Sequence, residues 1–233
     1  VGQGGAIMHG GDNLTGEGDG DDEVITVDLD RLSEEAKVLV FAVCIYTAGA
    51  TFADLENTYC RLVTGGDGGG EELCRFTLDK GLTKNSLIMC TLARHGSHWE
   101  KRALGQEASG RTVRELRREL PQMLAELLRP GHSSIPSTPV VTTPSAPAAP
   151  AWAAEPAARP EAIEGVAMKK GQLFVLEPDV RSTVMMGLGW DMPKGHSIDL
   201  DAGVIVLDGD FKHIEDVYFH RKVGQGGAIV HEG

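Results

Sequence analysis

Aromatic side chains are scarce in this chain of 233 residues, with three tryptophans, three tyrosines and six phenylalanines, and no basic stripe interleaves with them. A nucleic-acid footprint would need both, and a formal net charge of −12 opposes one further. No apolar run approaches the length of a membrane-spanning helix. Cysteine is equally sparse: Cys44, Cys60, Cys74 and Cys90 stand far apart, without the CxxC or Cys/His spacing that suits zinc. A chain of this length needs no disulfide framework, so the four are expected to be small core residues with free thiols. Neither the basic n-region nor the apolar h-region of an export signal is recognisable, and the expected compartment is the cytoplasm.

Catalytic patterns are missing as well. No serine sits in a nucleophile-elbow setting. His95 and His98 flank a tight turn at Gly96, but nothing near them in sequence completes a tetrahedral set, so a surface pair is expected. Cys90 stands in an apolar strand-like run, which favours an inert thiol over a nucleophile. The sequence therefore reads as non-enzymatic.

What the chain does have is a dense acidic stretch. Residues 11–23, GDNLTGEGDGDDE, hold six carboxylates and four glycines in thirteen positions. Such a run is either a solvated acidic turn or a cation site, because clustered carboxylates repel one another and the glycines let backbone and side-chain oxygens converge. An EF-hand loop starting at Asp12 would end correctly at Glu23, but it places Leu14 and Gly16 at ligand positions and Glu17 where the glycine belongs. A phosphate-binding loop is excluded by charge, since the stretch contains no basic residue.

Alternation and period set the expected elements. Residues 24–29 and 38–46 read as strands, the second continuously apolar and therefore central. Residues 31–37 read as a short helix, and residues 51–63 as a longer one, with Phe52, Leu55, Tyr59 and Leu62 at helical spacing. Residues 72–78, 86–94 and 99–105 read as strands. Residues 111–129 are amphipathic and broken at Pro121, predicting two helical pieces. Eight of the eleven prolines then fall between Pro130 and Pro160, marking residues 131–165 as a linker. Order resumes at residues 172–176 and 181–188, and in residues 197–207 Ile198, Leu200, Ala202, Val204 and Val206 share one face. Asp199 and Asp201 then project together from the other face, about 7 Å apart, a spacing suited to one or two cations. An Asp-x-Asp pair also serves metal-dependent glycosyltransferases, but no nucleotide-binding loop or catalytic base accompanies this one.

The acidic stretch followed by VITVDL, then FAVCIYTAGATFADLENTYCRLV, GGEELCRFTLD and RHGSHWEKRALGQ, resembles the TerD-type family, calcium-binding proteins of tellurium resistance and stress response. VMMGLGWD and SIDLDAGVIVLD resemble the family's opening half, which ordinarily precedes the acidic stretch. Here it follows. The resemblance implies a mainly β fold, a two-sheet β-sandwich with a few peripheral helices, with residues 1–130 as closing half and 166–233 as opening half. It also implies a calcium site in which Asp199 and Asp201 meet Asp12, Asn13, Asp19, Asp21, Asp22 and Glu23, with carbonyls near Leu14 and Gly18 completing the shell. Oxygen-only donors favour calcium over zinc, and a flexible many-carboxylate loop favours it over magnesium.

The two ends of the chain are near copies. Residues 1–11, VGQGGAIMHGG, and 223–233, VGQGGAIVHEG, agree at nine of eleven positions. Such redundancy predicts a unit of a tandem array or of a head-to-tail assembly ahead of a circularly permuted monomer. A purely structural filament protein rigidified by calcium is the alternative role.

Overall fold

The computed structural model describes residues 21–65, 70–78, 81–127, 165–176, 183–192 and 198–232. Residues 1–20, including Asp12, Asn13, Leu14, Gly18 and Asp19, and residues 128–164 of the expected linker lie outside the described residues.

Thirteen strands form two sheets. In chain order they are β1 (Glu23–Asp28), β2 (Val38–Ile45), β3 (Glu56–Thr64), β4 (Glu72–Thr77), β5 (Ser86–His95), β6 (His98–Ala108), β7 (Val166–Met168), β8 (Leu173–Leu176), β9 (Thr183–Asp191), β10 (Leu200–Leu207), β11 (His213–Tyr218), β12 (Val223–Gly224) and β13 (Ile229–His231). Helices α1 (Val113–Leu116) and α2 (Leu120–Leu127) follow β6. One sheet has seven strands in the order β12-β13-β1-β9-β3-β4-β7, the other six in the order β11-β10-β2-β5-β6-β8. The expected mainly β, two-sheet architecture is therefore what the chain adopts. All pairings are antiparallel except that of β4 with β7.

Both sheets draw on both ends of the chain. β9 lies between β1 and β3, and β10 lies between β11 and β2, so strands after the linker fill the centre of sheets begun before it.

The residue pattern explains each layer. β2 is buried along its whole length because one face meets the other sheet and the other face is covered by the helices. Leu39, Phe41 and Val43 point between the sheets, and Val38, Val40 and Ala42 point outward beneath α1 and α2. β10 behaves as its alternation predicts, with Leu200, Ala202, Val204 and Val206 inward. Pro121 falls in the first turn of α2, where its missing N–H costs nothing, so the amphipathic stretch splits into two pieces there.

Two expected helices are corrected. Residues 51–63 form a single 3-10 turn, Phe52–Asp54, and then strand β3. Along β3 the period is two: Thr58, Cys60 and Leu62 are buried, while Tyr59 and Arg61 face outward. Phe52 and Leu55 enter the core from the turn, so apolar residues at helical spacing belong to two different elements. Residues 31–37 form turns only, with Leu32 and Ala36 anchored in the core and the Arg31 N–H donating to Asp28 Oδ1 at 3.2 Å.

Candidate functional site

The end of the acidic stretch is fastened to the strand that carries GLGWD. The Asp22 N–H donates to the Leu188 carbonyl at 2.8 Å, and Asp22 Oδ2 accepts the Trp190 N–H at 2.8 Å. Asp21 lies over Gly187 on the outer face of the seven-stranded sheet, where a Cβ would collide with its carboxylate. At Gly189 a Cβ would meet the Tyr59 ring in the same way. The two glycines are thus the floor on which an acidic and an aromatic side chain rest.

Around Asp21 the outer face carries an ion-pair network. Arg61 Nε lies 2.8 Å from Asp21 Oδ1, and the Tyr59 hydroxyl donates to the same oxygen at 3.0 Å. Arg61 also reaches Glu72 at 3.1 Å, and Arg75 reaches Glu72 at 2.7 Å while lying over the Tyr59 ring. Hydrogen bonding from Arg75, then Arg61, holds the Glu72 carboxyl below the usual carboxylate range, while partial burial opposes the shift. Burial and the neighbouring Asp21 carboxylate push the Tyr59 hydroxyl up to about 12.

Glu23 turns the other way, into the sandwich, and is only 7% exposed. His231 of β13 lies beside it, Nε2 to Oε2 at 3.4 Å, and the same Nε2 is 3.1 Å from the Ala202 carbonyl of β10. β11 pairs with β10 only as far as Gly203, which leaves the Ala202 carbonyl at the end of that ladder, where His231 meets it. One buried imidazole therefore joins the last residue of the acidic stretch to the strand that carries Asp199 and Asp201.

Asp199 and Asp201 themselves stand on the outer side of the six-stranded sheet, as their parity requires. The Asp199 N–H donates to Thr47 Oγ1 at 2.8 Å and its carbonyl accepts the Tyr46 N–H at 2.8 Å. Asp201 is opposite Cys44, whose thiol burial pushes up to about 12, with Asp201 and Glu115 adding to the rise and a hydrogen bond with Ser86 opposing it. Asp21, Asp22 and Glu23 are thus brought to the seven-stranded sheet, and Asp199 and Asp201 to the six-stranded one. Among the described residues, no three acidic, histidine or cysteine side chains converge as a metal shell.

His95 and His98 stack at 6.0 Å between ring centroids, at the end of β5 and the start of β6, with Glu100 near both. Close by, Lys37, Arg94 and Arg102 line a surface groove of about 410 Å³ with Leu173 and Phe211, away from the acidic stretch. Arg61 and His231 escape a reading of the sequence, because both partner groups far away along the chain. Burial of every second residue along β3 was the only local signal for Arg61.

Two packed, mainly antiparallel sheets, with Asp22 fastened to the Gly-x-Gly-Trp strand, define a β-sandwich class of protein. Residues 1–119 and 165–233 match the family model of the TerD domain, and the chain belongs to that family. It is 41% identical over 116 residues to the tellurium resistance protein TerZ of Serratia marcescens, covering 50% of this chain and 58% of that protein. It is 36% identical over 110 residues to the tellurium resistance protein TerD of the same organism, covering 46% of this chain and 56% of that one. Stress response protein SCP2 of Bacillus subtilis is 38% identical over 106 residues, covering 44% of this chain and 52% of its own. The chain thus spans just over half the length of these relatives. No solved structure matches it.

Proposed function

We propose that this chain is a non-enzymatic calcium-binding protein of tellurium resistance and stress response, acting in the cytoplasm. The observation that carries this reading is the density of the acidic stretch, six carboxylates in thirteen residues, fastened at its end to the GLGWD strand. Asp12, Asn13, Asp19, Asp22, Asp199 and Asp201 would supply side-chain oxygens, and Leu14 and Gly18 carbonyl oxygens. Asp21 and Glu23 are engaged by Arg61 and His231 and contribute charge. Bound calcium would neutralise the mutual repulsion of these carboxylates and tie the turn to the sandwich. Calcium at one hundred times its dissociation constant is expected to stabilise the fold by about 2.7 kcal/mol. Thermal melts in calcium and in chelator, with calorimetric titration of parent and Asp199→Asn, test this. Equal melting temperatures and no binding heat would refute the proposal.

A second reading, head-to-tail self-association, is favoured by the duplicated ends. The described copy forms β12 and β13 and fills one place beside β1, with Ile229 opposite Val27 and His231 opposite Ile25. Residues 1–11 carry the equivalent Ile7 and His9. A chain with two matching segments for one place has a spare with which to engage a neighbour. Sedimentation should show multimers of the full chain and a monomer once residues 1–11 are deleted. A monomeric full chain at micromolar concentration would exclude it.

A further inference from the structure

Helices α1 and α2 cover one part of the outer face of the six-stranded sheet, over Val40, Ala42 and Ile88, and beside that cover lies the groove of about 410 Å³. Its floor is set by cross-strand register. Thr91 of β5 stands opposite Arg102 of β6, which stands opposite Leu173 of β8, and one row along Ala93 stands opposite Glu100. Residues directly opposite one another share a face with Cβ atoms about 4.5–5.5 Å apart, so Thr91, Arg102 and Leu173 form one continuous row. Lys37 and the turn between β10 and β11 line the other side, with Lys37 Cγ 3.7 Å from the place a Gly209 Cβ would take and Phe211 from the same turn.

Three observations mark this groove. Its lining is cationic in a chain of net charge −12, with Lys37, Arg94 and Arg102 against the one carboxylate of Glu100. That carboxylate already has His95 at 3.5 Å and His98 at 3.4 Å, and Arg94 is fixed by the Leu29 carbonyl at 3.3 Å and the Trp99 ring at 4.7 Å. Thr91, second, is 1% exposed and its Oγ1 is buried without a hydrogen-bond partner, although a buried hydroxyl left unsatisfied is costly. Third, Phe211 is held at φ 60°, a conformation that a bulky side chain rarely adopts. Its N–H donates to the Asp208 carbonyl at 3.2 Å, and the next N–H, of Lys212, donates to Asp208 Oδ1 at 2.9 Å. Backbone strain of this kind collects at ligand sites.

We propose that this groove binds a small organic acid, with its carboxylate on Arg102, Lys37 and the Thr91 hydroxyl and its apolar body against Ala93, Leu173 and Phe211. A carboxylate offers two oxygens in one plane, which suits the planar fork of a guanidinium and leaves lone pairs for a second donor. The Thr91 hydroxyl, donating to one of them at the floor, gains the partner it lacks. Glu100 in the wall disfavours a second negative charge on the ligand, which selects a carboxylate over a phosphate monoester. A few convergent polar groups among apolar walls, in a volume of this size, are what a small-molecule site requires. Leu173, 42% exposed, leaves the groove open to solvent on the side of β8.

The experiment titrates benzoate, acetate, phenyl phosphate and benzylamine in turn into the isotope-labelled full chain in calcium buffer and follows the backbone amides by NMR. Benzoate should move the amides of Thr91, Ala93, Arg102 and Leu173 saturably. Acetate, which lacks the apolar body, should bind roughly tenfold more weakly or worse, and benzylamine should leave these amides in place. Arg102→Gln should weaken benzoate by about tenfold or more, the worth of one hydrogen bond to a charged group. Lys37→Gln, at the groove wall, carries the same test should Arg102→Gln fail to fold. Shifts that do not saturate or that scatter away from the groove, tighter binding of benzylamine or phenyl phosphate than of benzoate, or an unchanged affinity in the folded variants would overturn the proposal.

Discussion

His231→Leu is expected to cost about 1–3 kcal/mol, the range for a buried polar group that loses its hydrogen-bond partner. The imidazole is 2% exposed, with Nε2 3.1 Å from the Ala202 carbonyl and 3.4 Å from Glu23 Oε2. Leucine fills the space and satisfies neither. The Ala202 carbonyl, at the end of the β10 ladder, would lose the imidazole. A double variant, His231→Leu with Glu23→Leu, should lose less than the sum of the two singles, because the two side chains share one contact. Denaturant unfolding of parent, singles and double checks this, and a single variant within 1 kcal/mol of the parent would show the corner to be unimportant.

Lys101→Met should move stability in the opposite direction, raising it by about 1–4 kcal/mol. The contrast lies in what remains. Removing His231 takes the imidazole from the buried Ala202 carbonyl, whereas removing Lys101 takes away a buried ammonium whose Nζ meets no regular acceptor among the described residues, only the neighbouring thiols of Cys60, Cys74 and Cys90. Methionine matches the length of the lysine stem and gains contacts with Trp99 and Ala103 without desolvating a charge. For a domain of this size each kcal/mol is worth roughly 2–4 °C, so thermal melts resolve the change. A lowered melting temperature would mean that the lysine and its thiols attract one another by more than their burial costs.

Much of the fold could be read from side-chain periodicity. β2 is apolar at every position because both its faces are covered, and β10 sets Leu200, Ala202, Val204 and Val206 between the sheets while Ile205 and Leu207 join the second apolar cluster on the other face. The failures have a common physical origin. Phe52, Leu55, Tyr59 and Leu62 share a helical interval only by accident of a turn followed by a strand, and Tyr59 points outward because Asp21 and Arg75 engage it there. Strand propensity in Thr58, Val63 and Thr64 was the better guide. β12 and β13 are two and three residues long and β11 is polar at most positions, so none carries enough periodic pattern to be read locally. At the candidate site, Asp21 to Glu23 and Asp199 with Asp201 stood out as candidate ligands from their acidic clustering and strand parity, and the structure sets the two groups on different sheets. Their separate partners, Arg61 and His231, did not stand out, since a salt bridge or a buried imidazole leaves no periodic trace.

The interleaving of the two halves has a consequence for synthesis. As the ribosome releases the first half, β9 and β10 are still unmade, and β3 and β2 each present an unpaired edge where those strands will pair. Nascent chains in this condition carry long, apolar, hydrogen-bond-hungry edges through translation of the proline-rich stretch and beyond. The sandwich therefore closes late, through contacts of high sequence separation that form slowly. Production of the protein should be more sensitive to chaperone supply and to translation speed in residues 128–164 than its stability, once folded, would suggest.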